Sequence, residues 1–149
     1  MTEYFYIISL LTGADMALEA TGTAQPVVNN PMIKDKNQAD FQLWEKIPVE
    51  RNGESFCFLR NKGNGEVLDI NGGRALPDTL IITYPTNIDT PENQLWSLAD
   101  EGGVYSINSL LNDLAVDVQG GNPKPGTPII VYPEGQPPAA NQLWFLYPA

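Results

Sequence analysis

Three copies of one tripeptide constrain the fold of this chain more than any other feature. Gln-Leu-Trp occurs at residues 42–44, 94–96 and 142–144, and these hold the only three tryptophans of the chain. Successive copies lie about fifty residues apart, a period typical of repeat architectures whose units share one core. We therefore predict a single domain over residues 1–149, built from three repeats at about 1–48, 49–100 and 101–149.

Each repeat contains the same series of four predicted strands. An alternating aromatic strand such as 55–59 is followed by a short strand of Leu, Val and acid such as 67–70. A Gly-rich turn, a strand ending at proline such as 81–85, and the strand that begins at the tryptophan complete the unit. Twelve short strands without a convincing helical period predict an all-β protein. Three units are too few for an ordinary propeller, so we predict a β-trefoil with a pseudo-threefold axis. We expect the polar segments 48–54 and 100–103 to be short linkers between units.

The charge and residue content exclude several functions. The chain has 18 acidic and 8 basic residues, a net charge of −10, which disfavours nucleic acid and anionic membranes as partners. It contains no histidine, which excludes Ser-His-Asp and Cys-His catalysis. No apolar stretch is long enough for a membrane span, so we expect no membrane insertion.

The single cysteine, Cys57, lies in the predicted strand 55–59 and is expected to be a buried core thiol. It has no partner for an internal disulfide. The apolar stretch 4–11 lacks the basic flank of a signal peptide. One thiol and no export signal predict a cytoplasmic protein, or one exported by an unconventional route.

The triple Gln-x-Trp pattern, each copy behind the same strands, resembles the ricin B-like lectin family, whose fold is the β-trefoil. The resemblance covers the whole chain. It implies a carbohydrate-binding protein that is not an enzyme, needs no cofactor, and acts as an agglutinin through glycans of glycoproteins or glycolipids. The third repeat resembles the Ile-Ile-x-Tyr-Pro type of galactose site, which implies terminal galactose or N-acetylgalactosamine as the ligand.

The resemblance also implies sugar-binding roles for three side chains in both the second and the third repeat. In such repeats an Asp on the second strand binds two sugar hydroxyls, an aromatic before the proline forms the floor, and an Asn before the triplet binds a further hydroxyl. The spacing of the three is the same in both repeats. The residues are Asp69, Tyr84 and Asn93 in the second repeat, and Asp117, Tyr132 and Asn141 in the third.

Residue chemistry suits these roles and adds two supporting ones. A Tyr ring matches the apolar face of a pyranose, and a carboxylate accepts hydrogen bonds from two hydroxyls at once. We expect Gly72 and Gly120, shortly after each Asp, to let the sugar approach the backbone. Gln94 and Gln142 are expected to donate amide hydrogens to Asp69 and Asp117. We place each Asp at the rim, where its replacement leaves the protein folded.

The first repeat departs from the pattern at all three ligand positions. Glu19 replaces the Asp, Asn30 replaces the aromatic and Phe41 replaces the Asn, which predicts no site there. The chain then has two sites. No repeat supplies a second acid near its Asp, which disfavours a glycosidase, and one carboxylate per pocket disfavours a metal.

Two other functions remain open. A β-trefoil protease inhibitor would act through exposed loops, for which residues 29–40 and 120–127 are candidates. A targeting module of a toxin would need its toxic partner on a separate polypeptide. The lectin interpretation is favoured because all three ligand types occur together in two repeats and are all missing from the first. A homodimer is compatible with the sequence.

Overall fold

The computed structural model describes residues 2–11 and 15–149. This part of the chain is all-β, with twelve strands joined by turns and single turns of 3-10 helix. The strands are β1 Phe5–Ser9, β2 Met16–Glu19, β3 Val28–Pro31, β4 Trp44–Arg51, β5 Glu54–Asn61, β6 Val67–Ile70, β7 Thr79–Tyr84, β8 Trp96–Asp100, β9 Tyr105–Ser109, β10 Ala115–Val118, β11 Thr127–Tyr132 and β12 Trp144–Pro148.

Six of the strands close into a barrel. β1 pairs with β4, β4 with β5, β5 with β8, β8 with β9, β9 with β12, and β12 returns to β1, all antiparallel. The register of the closing pair runs from Phe5 opposite Pro148 to Ser9 opposite Trp144. A closed ring leaves none of the six strands with an open edge, which would otherwise attract other chains.

The other six strands form three hairpins, one in each repeat: β2 with β3, β6 with β7, and β10 with β11. The hairpins contact one another, because β11 pairs with both β3 and β7. Thr23 and Pro26, which precede β3, bridge to Thr83 and Ile82 of β7. A six-stranded barrel with three mutually contacting hairpins is a β-trefoil, as predicted.

The three tryptophans connect the core to the strands that carry the candidate site residues. Each indole is fully buried in the shared apolar core. Each Nε1–H donates to a backbone carbonyl: Trp44 to Leu18 (3.2 Å), Trp96 to Leu68 (3.1 Å) and Trp144 to Val116 (3.1 Å). In every repeat the accepting residue immediately precedes the acid of the second strand. The repeated tryptophan therefore fixes the position of that acid as well as filling the core.

The predicted linker 48–54 is wrong, because most of it is regular strand. β4 and β5 pair over eight residues each, from Trp44 opposite Asn61 to Arg51 opposite Glu54. Asn52 and Gly53 form the turn with φ of 52° and 80°. Two successive left-handed residues are the signature of a two-residue type I′ turn, and Asn-Gly is its favoured sequence. The segment 100–103 is a tight turn, in which the Gly102 and Gly103 N–H groups donate to Asp100 Oδ1.

The cysteine prediction is confirmed. Cys57 is buried in β5, and its Sγ donates to the Trp96 carbonyl oxygen at 3.5 Å. Burial raises the pKa of the Cys57 thiol to about 12. At neutral pH the group is a neutral thiol and contributes packing to the core.

Candidate functional site

The candidate residues of the second repeat border one cleft of about 340 Å³. This size is at the lower end of small-molecule sites, about 300–1,000 Å³. The lining includes all five side chains or glycines singled out from the sequence in this repeat: Asp69, Gly72, Tyr84, Asn93 and Gln94.

Asp69 is held from two sides by amide groups of the turn that precedes β8. Gln94 Nε2 donates to Asp69 Oδ2 at 2.8 Å, and Asn93 Nδ2 donates to Oδ1 at 2.9 Å. Gln94 is itself oriented, since its Nε2 also donates to the Pro85 carbonyl and its Oε1 accepts from the Asn87 N–H. The predicted Gln94 to Asp69 hydrogen bond is confirmed. Each carboxylate oxygen has one protein donor and keeps capacity for a further one.

The third repeat reproduces this network. Gln142 Nε2 donates to Asp117 Oδ2 at 3.0 Å, and Asn141 Nδ2 donates to Oδ1 at 3.0 Å. Gln142 also donates to the Pro133 carbonyl at 2.9 Å and accepts from the Gly135 N–H at 3.0 Å. The predicted Gln142 to Asp117 hydrogen bond is therefore confirmed. Two separate segments of the chain have folded into the same arrangement of donors around an acid.

The placement of the acids at the rim is wrong. Asp69 and Asp117 are each only 4% exposed. The turn before the tryptophan strand covers them, because its two amide side chains reach over β6 and β10 to bind the carboxylates. Loss of either carboxylate would leave one amide hydrogen of a buried Gln and one of a half-buried Asn without an acceptor, at about 1–3 kcal/mol for a buried unsatisfied group.

Asn93 and Asn141 have a second function besides the sugar contact that the resemblance implies. The Nδ2 group of Asn93 donates to Asp69 and to the Ile70 carbonyl, and that of Asn141 donates to Asp117 and the Val118 carbonyl. Both amide hydrogens are thus directed to protein acceptors. The group left for a ligand is Oδ1, a hydrogen-bond acceptor.

The two tyrosines provide the exposed part of each site. Tyr84 is 48% exposed and Tyr132 is 43% exposed, at the ends of β7 and β11. A half-exposed ring beside a buried polar group is suited to a ligand with one apolar and one polar face.

The two predicted glycines lie in left-handed turns. Gly72 has φ of 67° and Gly120 has φ of 63°, a backbone conformation that other residues rarely adopt. A Cβ at Gly120 would meet no atom within 4 Å. The space above the turn is therefore open, as the predicted approach of a ligand to the backbone requires.

Burial controls the electrostatics of both acids. It raises the pKa of Asp69, against the lowering effect of the Gln94 and Asn93 hydrogen bonds. Burial and, to a smaller degree, the charge of Asp78 together raise the pKa of Asp117 to about 6, against the lowering effect of the Gln142 and Asn141 hydrogen bonds. Asp78 belongs to the second repeat. The expectation that no repeat supplies a second acid near its own Asp stays a prediction, because Asp78 comes from the neighbouring repeat.

The first repeat retains part of the network with different residues. Gln42 Nε2 donates to Glu19 Oε1 at 2.8 Å, as the other two glutamines do to their aspartates. Asn30, in the position of the tyrosines, donates its Nδ2 to Glu19 Oε2 at 3.0 Å. Phe41 lies against Gly63, where an added Cβ would come within 2.6 Å of the ring. Asn30 provides no half-exposed aromatic ring at this position, in keeping with the predicted absence of a site. That absence stays a prediction.

One contributor to the second cleft was missed. Ala24 of the first repeat lines it, and the Ala24 N–H donates to the Thr83 carbonyl at 2.8 Å. Nothing local in the sequence of the first repeat marks Ala24 as a site residue. Only the contact between hairpins brings it to the site.

No metal centre is indicated. Within residues 2–11 and 15–149, no group of three or more Cys, Asp or Glu side chains is placed to hold an ion. The same part of the chain contains no helix long and apolar enough to cross a membrane.

Comparison with known proteins places the chain in a family. The model of the ricin-type β-trefoil lectin domain-like family matches residues 40–132 and 92–149. A designed threefold-symmetric protein, ThreeFoil, superimposes with a TM-score of 0.82 at 23% identity, over 97% of both chains. The Macrolepiota procera ricin B-like lectin, solved with lactose, gives 0.72 at 19% identity, over 97% of this chain and 94% of that one.

A lectin from Polyporus squamosus, bound to a Neu5Ac-α2-6-Gal-β1-4-GlcNAc epitope, gives a TM-score of 0.79 at 22% identity. It covers 97% of this chain, which spans 48% of that lectin. A search of curated protein sequences gave no match. The family match extends over the second and third repeats, and the chain belongs to the ricin-type β-trefoil lectin-like family.

Proposed function

We propose that this chain is a non-catalytic lectin that binds terminal galactose or N-acetylgalactosamine through two sites, one in the second repeat and one in the third. The observation that carries the proposal is the duplicated site. In both repeats a buried carboxylate is held by one Gln and one Asn amide beside a half-exposed tyrosine. Structural need alone does not explain it, because the first repeat forms the same fold without the tyrosine.

The preference for galactose follows from how the carboxylate is held. The amide donors take one position on each oxygen of Asp69 and of Asp117. Two neighbouring hydroxyls on the same side of a ring can then donate to one carboxylate. In galactose the axial O4 and the adjacent O3 meet this requirement. The apolar face of the same ring stacks on Tyr84 or Tyr132.

Non-catalysis is supported by the fixed role of the acid. The pKa of Asp69 is set by burial and by the hydrogen bonds from Gln94 and Asn93, with no second carboxylate contributing. At the third site Asp78 does affect Asp117, but the Gln and Asn donors hold Asp117 as an acceptor, as they hold Asp69. Incubation with nitrophenyl galactosides should therefore release no product.

The proposal is tested by calorimetric titration with methyl β-galactoside and, as a matched control, methyl β-glucoside, which differs at C4 alone. We expect a dissociation constant of about 0.1–1 mM for the galactoside, or about −4 to −5.5 kcal/mol. The glucoside should bind at least tenfold more weakly. Equal binding of both epimers would contradict the galactose preference, and a glycan array without any signal would favour the protease-inhibitor alternative.

A further inference from the structure

Three equivalent residues, one from each hairpin turn, extend to the neighbouring repeat. Ala24, Asp78 and Gly126 all have left-handed backbones, with φ of 59°, 69° and 85°. Each donates its N–H to a carbonyl of the next hairpin: Ala24 to Thr83 (2.8 Å), Asp78 to Val131 (2.9 Å) and Gly126 to Asn29 (2.9 Å). In each case the accepting residue immediately precedes the tyrosine position. Every site is thus bordered by one residue of the preceding repeat.

The bordering residue differs chemically between the two sites. Ala24 lines the second cleft with a methyl group. Asp78 takes the same position at the third site with an exposed carboxylate. The strand register is also equivalent, since Asp69 lies opposite Ile82 and Asp117 lies opposite Ile130. The third site therefore has one more negative charge at its border than the second.

The turns that follow the two acids increase this difference. A Cβ at Gly72, which lines the second cleft, would lie 3.7 Å from Cγ of Arg74. Arg74 is exposed, and the stem of its side chain lies beside the turn at Gly72. The third repeat has Asn122 at the corresponding position, with its Oδ1 accepting from the Lys124 N–H. The position after the second acid thus holds the basic Arg74, whereas the equivalent position after the third acid holds the neutral Asn122.

We propose that the two sites differ in their selectivity by charge: the second accepts anionic saccharides, sulfated or carboxylated, whereas the third disfavours them and prefers neutral or amino sugars, with Asp78 as the specificity-determining residue. The inference rests on the proposed function. An exposed charge several ångströms from a ligand charge, in a high dielectric and at physiological salt, changes affinity by about threefold to tenfold. Because Asp78 is exposed, the effect should shrink as salt is added.

The test is an amide-resolved NMR titration of the full chain at pH 7.5 with galactose, galactosamine and galactose 6-sulfate. The amides of Tyr84 and Asn93 report the second site, and those of Tyr132 and Asn141 report the third. We expect galactose to shift both sets. Galactose 6-sulfate should bind the second site about threefold to tenfold more tightly than the third, and galactosamine should show the opposite order.

Two reciprocal substitutions then exchange the border charges. Asp78→Asn should raise the affinity of the third site for the sulfated sugar, and Ala24→Asp should lower that of the second. Asn and Asp both tolerate left-handed backbones, so the fold is kept. Unchanged charge selectivity in both variants, with galactose still bound at both sites, would overturn this inference alone. Failure of galactose to shift either set would overturn the proposed function and this inference with it.

Discussion

At the scale of single residues, the site depends on a buried acid whose two oxygens are each bound by one amide. Asp69 and Asp117 are positioned by Gln94 and Gln142, which are in turn fixed by the proline carbonyls and the backbone N–H groups they bind. The carboxylate cannot rotate away without leaving amide donors unpaired. A ligand bound as proposed would meet acceptors that are already oriented, which reduces the entropy lost on binding.

Galactoside binding at the third site should weaken as the pH falls through about 6. Burial and, to a smaller degree, the negative charge of Asp78 together raise the pKa of Asp117 to about 6, while Gln142 and Asn141 donate to the ionised form. Only that form accepts two hydroxyls, so one pH unit below 6 the affinity should be about tenfold lower. NMR titrations of the Tyr132 amide between pH 4.5 and 7.5 measure this.

Asp78→Asn provides the control for that profile. It removes the like charge that raises the pKa of Asp117, so the midpoint of the binding profile should move to lower pH at the third site and stay unchanged at the second.

The raised pKa of Asp117 also affects folding. The protonated acid is favoured in the folded state, so the contribution of Asp117 to stability should fall as the pH rises through about 6. A galactoside affinity at the third site that stays constant from pH 4.5 to 7.5 would contradict the role of Asp117.

For single residues, the spacing of the repeated sequence pattern predicts hydrogen-bond partners in the candidate site but not how deeply the acids are buried. The hydrogen bonds from Gln94 and Gln142 to the acids were predictable, because the three glutamines stand at one position relative to a repeated strand pattern. The burial of the acids was not. It depends on how far the turn at residues 92–94 folds over β6, which is a distance between segments and leaves no local signal in the sequence.

At the scale of elements, the tryptophan strands link the core to the sites. Each indole N–H donates to the backbone carbonyl of the residue that precedes the acid. This hydrogen bond fixes the position of the acid-bearing strand relative to the core. This hydrogen bond and the need to fill the core explain why all three repeats contain the tryptophan, including the first. A repeat keeps its tryptophan for the fold even where the ligand residues differ.

Trp96→Phe should destabilise the protein by about 2–4 kcal/mol, because it leaves a cavity and an unpaired Leu68 carbonyl. Urea unfolding measures the change. Phe145→Leu, at a partly exposed position of β12, is the matched control and should cost less than about 1 kcal/mol. The Trp96 variant should also weaken sugar binding at the second site more than at the third. Equal losses at both sites would contradict the local role of the indole.

The long hairpin of β4 and β5 shows where element prediction failed although a signal was present. Polar composition and one proline suggested a linker, but the Asn-Gly pair at 52–53 specifies a two-residue turn between continuous strands. The proline, Pro48, lies within β4. The neighbouring ion pair between Arg51 and Glu92, at 3.0 Å, connects this hairpin to the turn that carries Asn93.

At the scale of the whole molecule, the threefold repeat made the fold predictable from the sequence but not the contacts between repeats. Three tryptophans at a regular period predicted the trefoil, because only a shared core can bury them together. The contacts between hairpins were not predictable from any one repeat. They bring Ala24 to the proposed second site and give Asp78 its effect on the proposed third, so the two candidate sites share their central residues but differ at their borders.

Sugar binding should need no divalent metal. Each site centres on a single carboxylate whose oxygens are already engaged with amides, whereas calcium takes six to eight oxygen ligands. The dissociation constant for methyl galactoside should be the same in EDTA and in millimolar calcium. Binding that disappears in EDTA and returns with calcium would contradict the account.

Cell agglutination should require both sites on one chain. A single weak site releases its sugar quickly, whereas two sites engaging one surface can gain about 10² or more in apparent affinity. Asp69→Asn and Asp117→Asn should each leave one site with nearly unchanged galactoside affinity but strongly reduce erythrocyte agglutination. Glu19→Gln, in the first repeat, is the matched control and should agglutinate like the unmodified protein. Full agglutination by either Asp variant would show that one site per chain is enough.

The most direct test of the central claim is to count sites by calorimetry with methyl galactoside in four proteins. The account predicts two sites in the unmodified chain, one in Asp69→Asn, one in Asp117→Asn and none in the double variant. Because both acids are buried, each substitution should cost about 1–3 kcal/mol of stability, and thermal unfolding must confirm that the variants are folded. Three sites in the unmodified chain, or galactoside binding by a folded double variant, would contradict the assignment of the sites to Asp69 and Asp117.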